Sequence, residues 1–291
     1  MDFKDIRLFL FDMDGTIYLG DNLFPFVPEL LRTIREQGKH YLFMTNNSSK
    51  NITGYVEKLR RLGIDAEKED FVNSTTVTIN YIKTHLDGKK LYVLGTKALK
   101  DAFITEGIDV YEDYREDIEG VVMGFDTELT FKKLDDVSRL LTEKDIPYIA
   151  TNPDYVCPTE YGYVPDCGSV ADALYNATKK RPIFIGKPEP AMPLYAIEKI
   201  SEKDPIVTKE NTLVIGDRLY TDIACGVNAG IDTVFVLSGE GTLADLEASD
   251  TKPTFTRDNI RQIYNEISKS KLPPRGLFCF PTEHLYFASP A

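Results

Sequence analysis

Four acidic side chains stand in two short runs whose spacing suits phosphoryl chemistry. Asp12 and Asp14 lie two apart in Asp12-Met13-Asp14-Gly15-Thr16; Asp217 and Asp222 lie five apart in Gly216-Asp217-Arg218-Leu219-Tyr220-Thr221-Asp222. Two further runs supply neutral donors and a cation, Thr45-Asn46-Asn47 and Gly186-Lys187-Pro188. Each run alone has a plainer reading. Asp-x-Asp-Gly-Thr makes a turn, Thr45-Asn46-Asn47 caps a helix, Lys187 is a solvated charge, and Asp217 with Asp222 caps a helix and seats an acid in its first turn. Brought together, they carry chemistry. Carboxylates crowded into one space repel one another unless a cation neutralises them. All-oxygen ligands with open water positions suit Mg²⁺, which binds substrate phosphates readily. With Mg²⁺ and Lys187 offsetting the charge, a phosphate dianion can enter and a carboxylate can attack phosphorus to give an aspartyl-phosphate. An acid two positions on can protonate the leaving oxygen and later take a proton from water. The Thr45 hydroxyl and nearby amides can hold the transferring oxygens.

Each of the four runs directly follows a short apolar stretch: Leu8–Phe11, Tyr41–Met44, Ile183–Ile185 and Leu213–Ile215. Leu91–Leu94, Val121–Met123, Tyr148–Ala150 and Val234–Leu237 have the same character. None alternates polar with apolar residues, which predicts parallel strands covered on both faces. Helix-like periodicity fills the intervals, as in Val27 to Gly38 and Thr130 to Lys144. Strand–helix alternation predicts a doubly wound α/β sheet. Ligands of such a sheet bind beyond the carboxyl ends of its strands, so the four runs are expected to converge there.

The 291 residues suffice for two domains, and 42% hydrophobic with 27% charged content is that of an ordinary globular chain. A formal net charge of −12 repels nucleic-acid backbones and anionic lipid, so no nucleic-acid or membrane partner is expected. No apolar run approaches the roughly 20 residues that span a bilayer. Cys157, Cys167, Cys225 and Cys279 are too sparse for a disulfide scaffold and wrongly spaced for zinc, which predicts a reduced, cytoplasmic protein.

With these motifs in order, the chain resembles the haloacid dehalogenase superfamily, in its NagD-like, p-nitrophenylphosphatase branch with a large α/β cap. Thr151-Asn152-Pro153-Asp154, Gly186-Lys187-Pro188-Glu189-Pro190 and Gly226-Val227-Asn228-Ala229-Gly230-Ile231 extend the match almost to the tail. The resemblance implies Asp12 as nucleophile, Asp14 as general acid and base, and Thr45 as the hydroxyl of the second motif. It implies Lys187 as the balancing charge. Asn46, Asn47 and Asn152, with Lys187, are the expected substrate contacts. Asp12, the main-chain carbonyl of Asp14, Asp217 and Asp222 are the expected Mg²⁺ site. The implied activity is hydrolysis of small phosphorylated metabolites, with a homodimer left open.

The stretch from Thr45 to Lys187 is far longer than one crossover needs. It reads as an inserted α/β cap, with core at 1–79, cap at 80–183, core again at 184–271, and a proline- and aromatic-rich tail at 272–291. Hinges are expected near Asn80 and Arg181, and the segment from Tyr155 to Gly168 is the expected reach toward substrate. A cap that closes over the charged centre would exclude water. Two alternatives stand beside the phosphatase. One is a non-enzymatic phospho-aspartate signalling module, which also sets acids, a Thr and a Lys at strand ends. The other is a phosphomutase. The cap-sized insertion and Asp14 weigh against the first.

Overall fold

In the computed structural model, described for residues 3–49, 52–159 and 161–268, two parallel sheets carry the chain. The expected tail at 272–291 lies outside the described residues. The first sheet has six strands. From edge to edge they are Phe255–Arg257, Asp232–Val236, Thr212–Gly216, Leu8–Asp12, His40–Thr45 and Phe71–Asn73, every pairing parallel. Leu8–Asp12 is central, with Phe11 in register with Ile215 on one side and Phe43 on the other. Consecutive side chains of a strand face opposite ways. Phe9 and Phe11 therefore pack against Leu30, Ile34 and Ile263, while Leu8 and Leu10 pack against Met192 and Ala196. Both faces are buried, which explains why these strands read as unbroken apolar runs.

The second sheet has five strands in the order Ile183–Phe184, Tyr148–Ala150, Gly120–Met123, Leu91–Leu94 and Val110–Tyr111, again all parallel. Helices Ser74–His85 and Lys97–Thr105 supply Ile82, Leu99 and Phe103 to one face. Phe131–Glu143 and Cys167–Thr178 supply Val137, Leu140, Ala171 and Leu174 to the other. The helix expected over Thr130 to Lys144 begins after Thr130, whose hydroxyl accepts from the Lys133 amide.

The two expected domain breaks fall inside elements of the structure. Helix Ser74–His85 runs through the expected break at 79/80: Val77 packs under the first sheet and Ile82 under the second. The break at 183/184 divides a strand whose two residues both pair with Tyr148–Ala150. The strand ahead of Lys187 thus belongs to the second sheet, not to the sheet of Asp12. A strand of two residues, Ile183–Phe184, carries no signal for which sheet it joins.

Candidate active site

Three of the four runs lie at carboxyl ends of neighbouring strands in the first sheet. Asp12 closes the central strand, Thr45 closes the strand on one side, and Asp217 follows the strand on the other. Lys187 arrives from the second sheet and is clamped by Asn46. The Asn46 side-chain carbonyl accepts the Lys187 amide at 2.8 Å, and its Nδ2 donates to the Lys187 carbonyl at 2.9 Å. That two-point grip holds the backbone of one segment to the other, and the Lys187 Nζ then reaches Asp12 Oδ1 at 2.6 Å and Asp222 Oδ1 at 2.5 Å.

Asp222 owes its place to a wide helical turn, Leu219–Ile223, in which the Ile223 amide donates to the Arg218 carbonyl five residues back. The turn brings its carboxylate inward, where Oδ2 accepts from the Arg218 amide at 3.2 Å. Asp217 is fixed by the Glu240 amide, which donates to Oδ2 at 2.7 Å, and its Oδ1 is buried without a partner. Gly15 and Gly239 press against this carboxylate. A Cβ at either position would sit 2.2 Å and 2.0 Å from Asp217 Oδ2.

Asp12, Asp217 and Asp222 offer carboxylate oxygens within 4.8 Å of one another, two of the three side chains fully buried. Burial first, then the charge of Asp222, pushes the Asp12 carboxyl well above its ordinary value, with Lys187 pulling the other way. The same two causes push Asp217 up to about 6. Burial alone would lower the Lys187 ammonium, but Asp12 and Asp222 outweigh it and hold the group above the usual lysine range. A cluster strained in this sense, with an unpartnered buried oxygen, fits a hard divalent cation. Asp12, Asp217 and Asp222 would hold it through side chains. The Asp14 side chain is exposed and lies outside the cluster, so only its main chain is left for the ligand role expected of it.

A cleft of about 360 Å³ opens over this cluster, and Asp12, Asp14, Thr45, Asn46, Asn47 and Lys187 line it. Asn47 uses its side-chain oxygen on Ser49, accepting from the amide at 2.9 Å and the hydroxyl at 2.8 Å. Asn152, an expected substrate contact, is instead fully buried behind the wall. Its Nδ2 donates to the Asn46 carbonyl at 3.1 Å and its Oδ1 accepts the Asp154 amide at 2.9 Å, so it braces the residues that do line the cleft.

Sequence reasoning singled out no role for Asp154, Tyr55, Lys58, Arg61 or Arg218, all on the cleft wall. Asp154 takes both its oxygens to Asn46 Nδ2, at 3.1 and 3.2 Å, and the Tyr55 phenol, raised by burial to about 12, hydrogen-bonds Thr45. Asp154 stood inside a recognised motif and was within reach of inference; Tyr55, Lys58 and Arg61 sit on helix Ile52–Arg61 with no motif around them. The segment from Tyr155 to Gly168 forms a hairpin, Val156–Thr159 against Gly162–Pro165, followed by a helix start capped by Asp166. Val156 and Cys157 of that hairpin face the cleft, whereas Tyr161 and Tyr163 are exposed.

The chain is similar to proteins of one known family along most of its length. A family profile of haloacid dehalogenase-like hydrolases matches residues 9–109, and a HAD-hydrolase-like profile matches 184–263. An acid sugar phosphatase of Staphylococcus aureus is 32% identical over 266 residues, covering 91% of this chain and all of its own length. The solved 4-nitrophenylphosphatase of Thermotoga maritima is 40% identical, covers 90% of this chain and 98% of its own, and superposes with a TM-score of 0.82. A glycerol phosphate phosphatase of Mycobacterium tuberculosis, crystallised with magnesium, is 26% identical with a TM-score of 0.81, over 92% of this chain and 79% of its own. The chain belongs to the haloacid dehalogenase-like hydrolases, as a NagD-like member. It is an enzyme of the phosphatase kind, a hydrolase of phosphoric monoesters.

Proposed function

We propose that the enzyme hydrolyses small-molecule phosphate monoesters with Mg²⁺, through an aspartyl-phosphate on Asp12. The observation that carries this reading is the meeting of Asp12, Lys187, Asp217 and Asp222 beneath the cleft. Bound there, Mg²⁺ supplies charge neutralisation, keeping Asp12 ionised and drawing electron density from the phosphoryl oxygens.

Asp12 attacks phosphorus in line with the ester bond, and the P–O bond to the alcohol breaks. Asp14, exposed on the cleft wall two residues on, gives its proton to the departing oxygen. It then takes a proton from water, whose oxygen attacks the phosphorus and restores the Asp12 carboxylate. Lys187 offsets the charge on Asp12 and on the transferring group, and the Thr45 hydroxyl, hydrogen-bonded by Tyr55, faces the same space. The unit built on the second sheet, whose strands run from Leu91 to Phe184, acts as the cap expected over 80–183. Asp154 and the hairpin strand Val156–Thr159 close one side of the cleft, and the Asn46 contacts to Asp154 and Lys187 join the two parts.

Phosphate release from p-nitrophenyl phosphate, with Mg²⁺ and with EDTA, tests the proposal. Continuous turnover that stops on chelation is the expected result. A single stoichiometric phosphorylation would favour the signalling module, and an unchanged rate in EDTA would remove the metal. Asp12→Asn is expected to lose turnover by at least about 10³-fold while keeping its circular dichroism spectrum.

A further inference from the structure

Asn46 stands between two segments of the second sheet. Asp154 and Lys187 each come after a strand of that sheet, Tyr148–Ala150 and Ile183–Phe184, and these two strands are paired neighbours. Asn46 arrives from the other side, directly after His40–Thr45 of the first sheet. It is buried, and its main-chain carbonyl accepts Ser74 Oγ at 2.6 Å and Asn152 Nδ2 at 3.1 Å. Gly186 permits the close approach. A Cβ there would lie 2.6 Å from Asn46 Oδ1 and 2.6 Å from the Thr151 carbonyl oxygen.

The Asn46 side chain is fully engaged. Oδ1 accepts the Lys187 amide at 2.8 Å, while Nδ2 donates to the Lys187 carbonyl at 2.9 Å and to the two Asp154 oxygens at 3.1 and 3.2 Å. An amide has two N–H donors, so one serves the carbonyl and the carboxylate oxygens share the other. The dependence runs both ways. Among the described residues, the main-chain N–H and C=O of Lys187 are hydrogen-bonded to Asn46 and to no other group. The Asp154 carboxylate likewise accepts from Asn46 alone among them.

We propose that Asp154 is a positioning residue for the reaction: it holds the Asn46 amide, and through that amide the Lys187 backbone, so that the ammonium stays against Asp12 while the phosphoryl group is transferred. This rests on the phosphatase reading. Turned over about its last bond, the amide would set Oδ1 against the Lys187 carbonyl and the Asp154 carboxylate, and the negative charge of the latter opposes that orientation. Without the carboxylate, one buried N–H of Nδ2 has no acceptor, and the amide is drawn toward the water of the cleft it lines. The lysine backbone then loses its fixed partner, and small misplacements of a charge beside the reacting group cost rate.

Turnover of p-nitrophenyl phosphate with saturating Mg²⁺ tests the assignment. Asp154→Leu, close in size but unable to accept, is expected to lower kcat about tenfold, the scale of one hydrogen bond to a charged group, with KM changed by less than about threefold. Asp154→Asn, whose carbonyl oxygen still accepts from Nδ2, is expected to recover most of that loss. The same change is then made in Lys187→Met protein. An effect exerted through the lysine has nothing left to act on there, so Asp154→Leu is expected to change kcat by less than about twofold. A tenfold loss repeated in that background would assign Asp154 to general packing, and an unchanged kcat in Asp154→Leu itself would remove it from the reaction; either result overturns the proposal. Asp154→Ala is read in the same way if circular dichroism shows the leucine variant unfolded. A wild type that releases no nitrophenol would be a failure of the phosphatase reading instead.

Discussion

Lys187 Nζ and Asp12 Oδ1 are separated by 175 positions in the chain and by 2.6 Å in the fold. The contact is made by joining two sheets. Asp12 ends the central strand of one, and Lys187 follows an edge strand of the other and is steadied by Asn46. The same ammonium also reaches Asp222, so one cation stands between two carboxylates.

Removing that cation leaves the carboxylates facing each other. Lys187→Met is expected to cost about 3 kcal/mol of stability in EDTA at neutral pH, the scale for breaking a buried ion pair. Mg²⁺ is expected to return part of it. Turnover is expected to fall by about 10³-fold even with saturating metal, because the charge opposite the transferring phosphoryl is gone. Urea unfolding with and without Mg²⁺, beside phosphate release, reads both. Equal stability of variant and wild type in EDTA would contradict the pairing.

Asp14 is expected to act on the leaving oxygen, so its loss should depend on what leaves. An aryl oxide such as p-nitrophenolate needs little protonation, whereas an alkoxide needs it fully. Asp14→Asn is expected to slow an alkyl phosphate about tenfold or more beyond its effect on p-nitrophenyl phosphate. With the aryl ester it is expected to accumulate phosphoenzyme, seen as a burst of nitrophenol, because water still lacks its base. The same factor for both esters would assign Asp14 a purely structural place.

What the sequence made legible follows from continuity. The runs ending at Asp12, Thr45 and Gly216 are apolar throughout because both faces of the sheet are covered, and a parallel sheet collects their carboxyl ends on one side. Asp217 and Asp222 were readable for that reason. Three things were not. Ile183–Phe184 is too short to declare its sheet, Asn152 sits in the matching motif but its amide is used internally, and Lys58 and Arg61 look like solvated helix charges until the cleft beside them is seen.

The close packing of Gly239 against Asp217 gives a prediction about metal affinity. A Cβ at Gly239 would lie 2.0 Å from Asp217 Oδ2 and 2.7 Å from its Cβ, and the side chain is too buried to turn freely. Gly239→Ala must therefore shift the carboxylate. The Mg²⁺ concentration for half-maximal rate is expected to rise by about 10–100-fold, the usual effect of disturbing a group that orients a metal ligand. The rate at saturating metal is expected to change far less. An unchanged metal requirement would show that Asp217 is not a ligand.

Asp166 ties pH to stability. Its carboxylate caps helix Cys167–Thr178 by accepting the Cys167 amide at 2.5 Å, yet burial, with Asp154 adding to it, pushes the group up from 3.8 to about 7. The folded chain therefore binds the Asp166 proton more tightly than the unfolded chain does. The stability this brings is fully present below about pH 4 and is lost as pH rises through about 7. Asparagine caps helices equally well and never ionises. Asp166→Asn is expected to match wild type near pH 4.5 and to exceed it by about 2 kcal/mol at pH 8, the order of magnitude for a shift of this kind in a buried carboxyl. Urea unfolding of both proteins across that range measures the difference, and a gap that stays constant with pH would mean that Asp166 is ionised throughout.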